Sequence, residues 1–206
     1  MMKRFFTTTL ATALLFLSAC QTVPGTGRSQ FNFIPFSQEM ALGLDAYTEV
    51  LENEKIVTSG PDAEMVNRIG QRVARSAVEL FPKNASKFDW EFTLIDNPDM
   101  VNAWAMPGGK CAVYTGLLPV TQDENSLAIV MGHEVAHAIA RHGGERMSHQ
   151  ILLSGAMLGA SYKLRDETPE KRATILSLMG AGATVGIMLP FSRDHESEAD
   201  EIGLTL

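Results

Sequence analysis

The sequence is poor in several things, and each shortage excludes something. Two cysteines in 206 residues rule out a disulfide-dense scaffold. Basic residues are in deficit, 17 Lys and Arg against 24 Asp and Glu for a net charge of −7, which argues against a surface that binds nucleic acid or adheres to anionic lipid. Long apolar runs are scarce: residues 5–17 are apolar or small but too short to cross a bilayer, and only Ala173 to Phe191 stays uncharged over a length that can just span one. Histidine is rare as well, five in all, so two of them at a meaningful spacing carry information. What is present, 45% hydrophobic residues, suits one globular domain with a real core and a separate leader.

The informative stretch runs from Thr121 to Gly144 and contains His133-Glu134-Val135-Ala136-His137. It begins with a Thr121-x-x-Glu124 capping box and ends at the Gly143-Gly144 pair, where a left-handed helix cap costs least. Residues four apart on a helix are rotated by about 40° and separated by about 6 Å, so His133 and His137 project side by side. Two neutral imidazoles so placed can bind one zinc ion. Glu134, one position round, flanks such an ion and can take a proton from an activated water. A third ligand is available in Ser192-Arg193-Asp194-His195-Glu196-Ser197-Glu198-Ala199-Asp200. Glu196 and Asp200 share a helix face there. Glu196 can complete a His, His, Glu set, and Asp200 can bond the free ring nitrogen of a ligating histidine and set its tautomer. His195 is a rival ligand, and Glu198 points elsewhere.

These motifs, with Asn102-Ala103-Trp104-Ala105-Met106-Pro107-Gly108-Gly109-Lys110 and Val113-Tyr114-Thr115-Gly116-Leu117-Leu118, resemble peptidase family M forty-eight, the zinc metalloendopeptidases similar to HtpX and the CaaX prenyl proteases, in its bacterial lipoprotein branch. The likeness runs from about Pro61 to the end. It implies zinc held by His133, His137 and Glu196, Glu134 as catalytic base, and a gluzincin-type fold. Asn102-Ala103 resembles the pair on the substrate-binding edge strand of thermolysin-like enzymes, which assigns Asn102, Ala103 and Trp104 to substrate contact; packing of the sheet is the other role open to Trp104.

At the front, Lys3 and Arg4 precede the apolar run, and Leu17-Ser18-Ala19-Cys20 closes it. This reads as a secretory signal peptide, and its end resembles the bacterial lipobox, in which Cys20 is acylated and becomes the first mature residue. Several acyl chains on one residue give a durable membrane anchor. By resemblance to Gram-negative lipoproteins, Gln21 in place of Asp directs sorting to the outer membrane, facing the periplasm. Loss of residues 1–19 removes Lys3 and Arg4, so 15 basic residues face 24 acidic ones and the net charge falls to −9. Cys111 then lacks an intrachain partner and reads as a buried, inert thiol.

Between the anchor and the motif, residues 21–36 are rich in Gly, Pro, Thr, Ser and Asn and read as a tether. Met40, Leu44, Tyr47 and Leu51 mark a helix over 37–54. Met65, Val66, Ile69, Val73, Ala77 and Leu80 mark another before Pro82. Phe88, Trp90, Phe92 and Leu94 alternate as in a half-buried strand, followed by short strands at 101–106 and 110–114. An exposed edge of this sheet would grip a peptide by its main chain. Residues 145–163 form a further helix, and Ala173 to Phe191 is read as a lid or core hairpin, with a membrane segment as its rival. The expected fold is α+β, mainly helical, with a small sheet beside the metal helix. The domains are 1–19, signal peptide; 20–36, acylated cysteine and tether; and 37–206, zinc metallopeptidase, C-terminally incomplete because Leu206 falls inside an apparent helix with no stop signal. The expected function is hydrolysis of misfolded envelope proteins in periplasmic quality control. A non-proteolytic chaperone or assembly lipoprotein is the alternative.

Overall fold

In a computed structural model, residues 20–184 and 188–206 are described; the expected signal peptide lies outside them, as do residues 185–187 of the uncharged stretch. The first described element is a hairpin where a tether was expected. β1 (Cys20–Thr22) pairs antiparallel with β2 (Ser29–Phe31) across a turn that uses Gly25 and Gly27 at positive φ. Val23, Gln30, Asn32 and Ile34 are buried beneath it. Half of these buried groups are polar, which is why the stretch carries no strand-like apolar alternation.

Helix α1 (Phe36–Asn53) follows. Its buried face is Glu39, Gly43 and Tyr47, whereas Leu44 of the expected stripe is exposed. After the two-residue β3 (Ile56–Val57), α2 (Pro61–Leu80) starts with Pro at its first position and buries Val66, Ile69, Val73 and Ala77 as the periodicity predicts. Val66, Ile69 and Val73 each contribute roughly 1.5–3 kcal/mol by leaving water, and the Ala77 methyl less. A single turn, α3 (Pro82–Ala85), leads into β4 (Glu91–Ile95), β5 (Ala103–Met106) and β6 (Lys110–Tyr114).

The sheet order is β3-β4-β6-β5, with β4 and β6 parallel and the outer pairs antiparallel. Its two faces are covered differently. Phe92, Leu94, Cys111 and Val113 pack with α2 and with Leu127, Met131, Val135 and Ile139 of the metal-motif helix. Ile95, Ala112 and Tyr114 pack with Val50 of α1 and with Trp104. Burial from both sides explains why β4 and β6 are enclosed almost throughout, where a half-buried strand was expected.

A 3₁₀ turn (Thr115–Leu117) and α4 (Leu118–Thr121) deliver the chain to α5 (Glu124–Ala140), the helix that carries both histidines of the motif. Its ends differ from expectation. Gln122 adopts φ 62° and separates Thr121 from α5, so the cap is Asp123, whose carboxylate accepts from the Ser126 N–H at 2.9 Å. The C-cap is Arg141 at φ 61°, not a glycine; Gly143 and Gly144 belong to the first turn of α6 (His142–Lys163). Left-handed backbone at a non-glycine residue costs on the order of 1 kcal/mol or more. The buried Arg141 guanidinium offsets it by donating to Glu39 Oε2 and to the Ile34 carbonyl, both at 2.8 Å.

Helix α6 pairs with α7 (Pro169–Ala183), and α8 (Leu189–Gly203) returns to α5. The described parts of the uncharged stretch therefore fall in two helices. No side chain of α7 is buried, and Ile151, Leu152, Leu158, Tyr162, Leu178 and Met179 are exposed along the α6–α7 pair. Among the described residues, no helix is long and apolar enough to cross a membrane.

Candidate metal centre

Helices α5 and α8 cross at two glycines. A Cβ on Gly203 would stand 2.9 Å from the backbone nitrogen of His133, and one on Gly132 would stand 3.0 Å from the Gly203 carbonyl oxygen. Neither position has room for a side chain without a shift, so the two backbones touch. That contact brings the distant acidic run to the histidines. His133 Nε2 lies 3.1 Å from His137 Nε2 and 3.3 Å from Glu196 Oε2, and His137 Nε2 is 3.7 Å from the same oxygen.

These separations test the fit of a metal. Ligand atoms bound tetrahedrally at about 2.0–2.1 Å stand about 3.3 Å from one another, and the three separations here bracket that value within about 0.4 Å. Asp200 Oδ1 is 2.9 Å from His133 Nδ1. An ionised carboxylate only accepts, so this ring nitrogen donates and its Nε2 presents a bare lone pair to the cluster. Burial holds His137 neutral, its pKa lowered to about 4, and a neutral imidazole is the ligating form. His133, His137 and Glu196 thus form a donor set that can hold a metal ion.

The cluster opens into a cleft of about 320 Å³ lined by Glu134, Asn102, Ala103, Ala105, Pro107 and Arg146, among others. Burial pushes the Glu134 carboxyl up to about 7, and the neighbouring Glu196 carboxylate adds to the rise. One wall of the cleft is β5, an edge strand of the sheet. Of the residues assigned to substrate contact, Asn102 and Ala103 line the cleft and Trp104 does not. Side chains alternate along a strand, and Trp104 falls on the opposite face, where it packs edge-to-face on Tyr47 with ring centroids 6.1 Å apart.

The rival ligand His195 is fully buried away from the cluster, its Nε2 2.9 Å from Glu145 Oε2. Glu198 does point elsewhere, into a buried polar network with His142, Arg28 and Thr26. Sequence reasoning missed this network and Arg146. His142 is five residues past His137, a spacing that leaves one helix face and comes back only because the chain breaks at Arg141. Cys111 is buried, and burial raises its thiol pKa far above the usual value, as expected of an inert residue.

Paired histidines, a returning carboxylate and a cleft beside an edge strand, set in a mainly helical α+β domain, define a domain of the metallopeptidase type. Comparison with known families narrows this. The family model described as "Peptidase family M48" matches residues 62–206, and the chain belongs to that family. Among its relatives, the mitochondrial metalloendopeptidase OMA1 of Schizosaccharomyces pombe is 33% identical over 187 residues, 89% of this chain and 51% of that protein. The beta-barrel assembly-enhancing protease of Escherichia coli is 30% identical over 195 residues, 92% of this chain and 38% of that protein. The mitochondrial metalloendopeptidase OMA1 of Danio rerio is 30% identical over 202 residues, 94% and 41% respectively. The chain spans about half or less of the length of these relatives.

Proposed function

We propose that the protein is a zinc-dependent endopeptidase of the gluzincin type that cleaves unfolded or misfolded proteins of the bacterial envelope. The observation that carries this is the convergence of His133 Nε2, His137 Nε2 and Glu196 Oε2 within 3.1–3.7 Å at the mouth of a cleft that also holds Glu134. When bound there, zinc supplies Lewis acidity, polarising a scissile carbonyl and easing deprotonation of water. Glu134, on the cleft wall beside the three ligand side chains, takes the proton from the attacking water and passes it to the leaving amine. Asp200 holds the His133 ring in its ligating tautomer. The β5 edge pairs with an extended substrate through its main chain, which favours disordered segments over particular side chains. Asn102 and Ala103 flank that path, and Arg146 supplies a positive charge on the cleft wall.

The anchor at Cys20, the leader 1–19 and a periplasm-facing position on the outer membrane complete the proposal. The name of the Escherichia coli relative, which links that protein to β-barrel assembly, supports an envelope role. A second reading, capture of misfolded clients with little turnover, is favoured by the exposed Ile151, Leu158, Tyr162 and Leu178 on the α6–α7 pair. Cleavage of casein separates the two. The endopeptidase cuts it, and both a chelator and Glu134→Gln abolish the cutting; a chaperone suppresses client aggregation equally well with or without Glu134.

A further inference from the structure

His137 has a neighbour that the mechanism above does not use. His142 Nδ1 lies 2.8 Å from His137 Nδ1, and on the other side of the same ring His142 Nε2 lies 2.9 Å from Glu198 Oε2. Glu198 is acceptor-only when ionised. It receives Arg28 Nε at 2.8 Å and the Thr26 hydroxyl, two donors that keep it so. The His142 proton therefore sits on Nε2, facing Glu198. His142 is 1% exposed and stacked on His195 with ring centroids 4.0 Å apart, an enclosure in which an imidazole stays neutral. Its Nδ1 is then a bare acceptor. Two ring nitrogens 2.8 Å apart cannot both present lone pairs, so the proton between them belongs to His137. This leaves His137 Nε2 unprotonated and turned toward Glu196.

We propose that His142 is a positioning residue for His137: by accepting the His137 Nδ1–H it sets the tautomer and ring orientation that present Nε2 to the metal, and Glu198, held by Arg28 of the N-terminal hairpin, sets His142 in turn. The inference rests on the reading that His133, His137 and Glu196 hold a metal. It makes the two imidazoles unequal. His133 leans directly on the carboxylate of Asp200, whereas His137 reaches its carboxylate through a second ring, and that second path ends on Arg28 at the turn of the β1–β2 hairpin.

The test is zinc affinity of the whole chain, measured by competition with a chromogenic chelator, in wild type, His142→Leu and His142→Asn. Outer partners of metal-bound histidines are worth about 10- to 100-fold in affinity. His142→Leu is expected to lose that much. His142→Asn, whose Oδ1 stands about where Nδ1 did, is expected to recover most of it. In the zinc-loaded wild type, nitrogen-15 spectra of labelled histidine should show protons on His137 Nδ1 and His142 Nε2 and none on His142 Nδ1. A proton on His142 Nδ1 overturns the proposal even if neither variant folds. So does a folded His142→Leu that binds zinc as tightly as wild type. A wild type that takes up no zinc defeats the metal-site reading itself, and the relay with it.

Discussion

Replacing Arg28 with Leu probes the buried polar network most sharply. Arg28 donates to both Glu145 oxygens at 3.1 and 2.7 Å and to Glu198 Oε2 at 2.8 Å, and the two carboxylate side chains are only 2% and 4% exposed. Burial by itself pushes Glu145 up, but hydrogen bonds from His195 and Arg28 outweigh it and hold its pKa at about 2, against a usual 4.5. At about 1.4 kcal/mol per tenfold change, the whole shift contributes about 3 kcal/mol, shared between His195 and Arg28. A buried carboxylate stripped of its partner costs about 3–5 kcal/mol, but Glu145 keeps His195 and the Phe31 N–H and Glu198 keeps His142 and Thr26, so only a part of that is lost. The folded pKa is below the unfolded one, so the contribution is complete above pH 4.5 and is lost as the pH falls toward 2. Urea denaturation of the metal-free chain, followed by tryptophan fluorescence, should find Arg28→Leu less stable by about 1.5–2 kcal/mol at pH 7, about half of that shift because His195 still holds Glu145, with the gap narrowing below about 1 kcal/mol at pH 3. A gap below about 0.5 kcal/mol at pH 7, in the range of an ordinary surface pair, would show that Arg28 does not hold the buried carboxylates. A gap undiminished at pH 3 would do the same.

Other perturbations have equally definite outcomes. Gly→Ala in a helix interior ordinarily stabilises by about 0.5–1 kcal/mol, but a Cβ on Gly70 of α2 would stand 2.2 Å from the Phe92 ring. Gly70→Ala should therefore lower stability, by about 1–3 kcal/mol for an overpacked core, and a raised melting temperature would show that α2 is not seated on β4. Cys111 should react with thiol reagents only as fast as the domain unfolds; rapid labelling of the native chain would contradict its burial. Trp104→Phe should leave peptide cleavage within about twofold of wild type, because the indole packs against Tyr47 and lies outside the cleft, and its cost should appear in stability instead, as for other conservative core changes.

Much of the site was legible from spacing alone. The i, i+4 pairs His133/His137 and Glu196/Asp200 each needed only a helix to face one way, and the apolar period of α2 and the run Lys110–Tyr114 were equally local signals. What escaped the sequence was decided by tertiary contacts. Thr121 looked like a cap because the left-handed turn at Gln122 has no composition cue, and Gly143-Gly144 looked like a stop because Arg141 takes the left-handed position only with Glu39 and the Ile34 carbonyl to hold it. The strand prediction around Trp104 was right, but which side of β5 faces α5 depends on its register against β6. The hairpin over residues 20–34 passed for a tether because its strands are three residues long and its buried groups include Gln30 and Asn32. The Arg28–Glu145–Glu198 network joins residues more than a hundred positions apart and has no local signature at all.

On the proposed function, two helix-borne imidazoles and a carboxylate from the returning helix grip one divalent ion. Elemental analysis of the purified full chain, stripped with chelator, re-exposed to zinc and desalted, tests it directly. About one zinc per chain is expected for wild type, with Glu196→Gln retaining only a minor fraction. A wild type that retains no zinc, or a Glu196→Gln variant that retains as much as wild type, would contradict it.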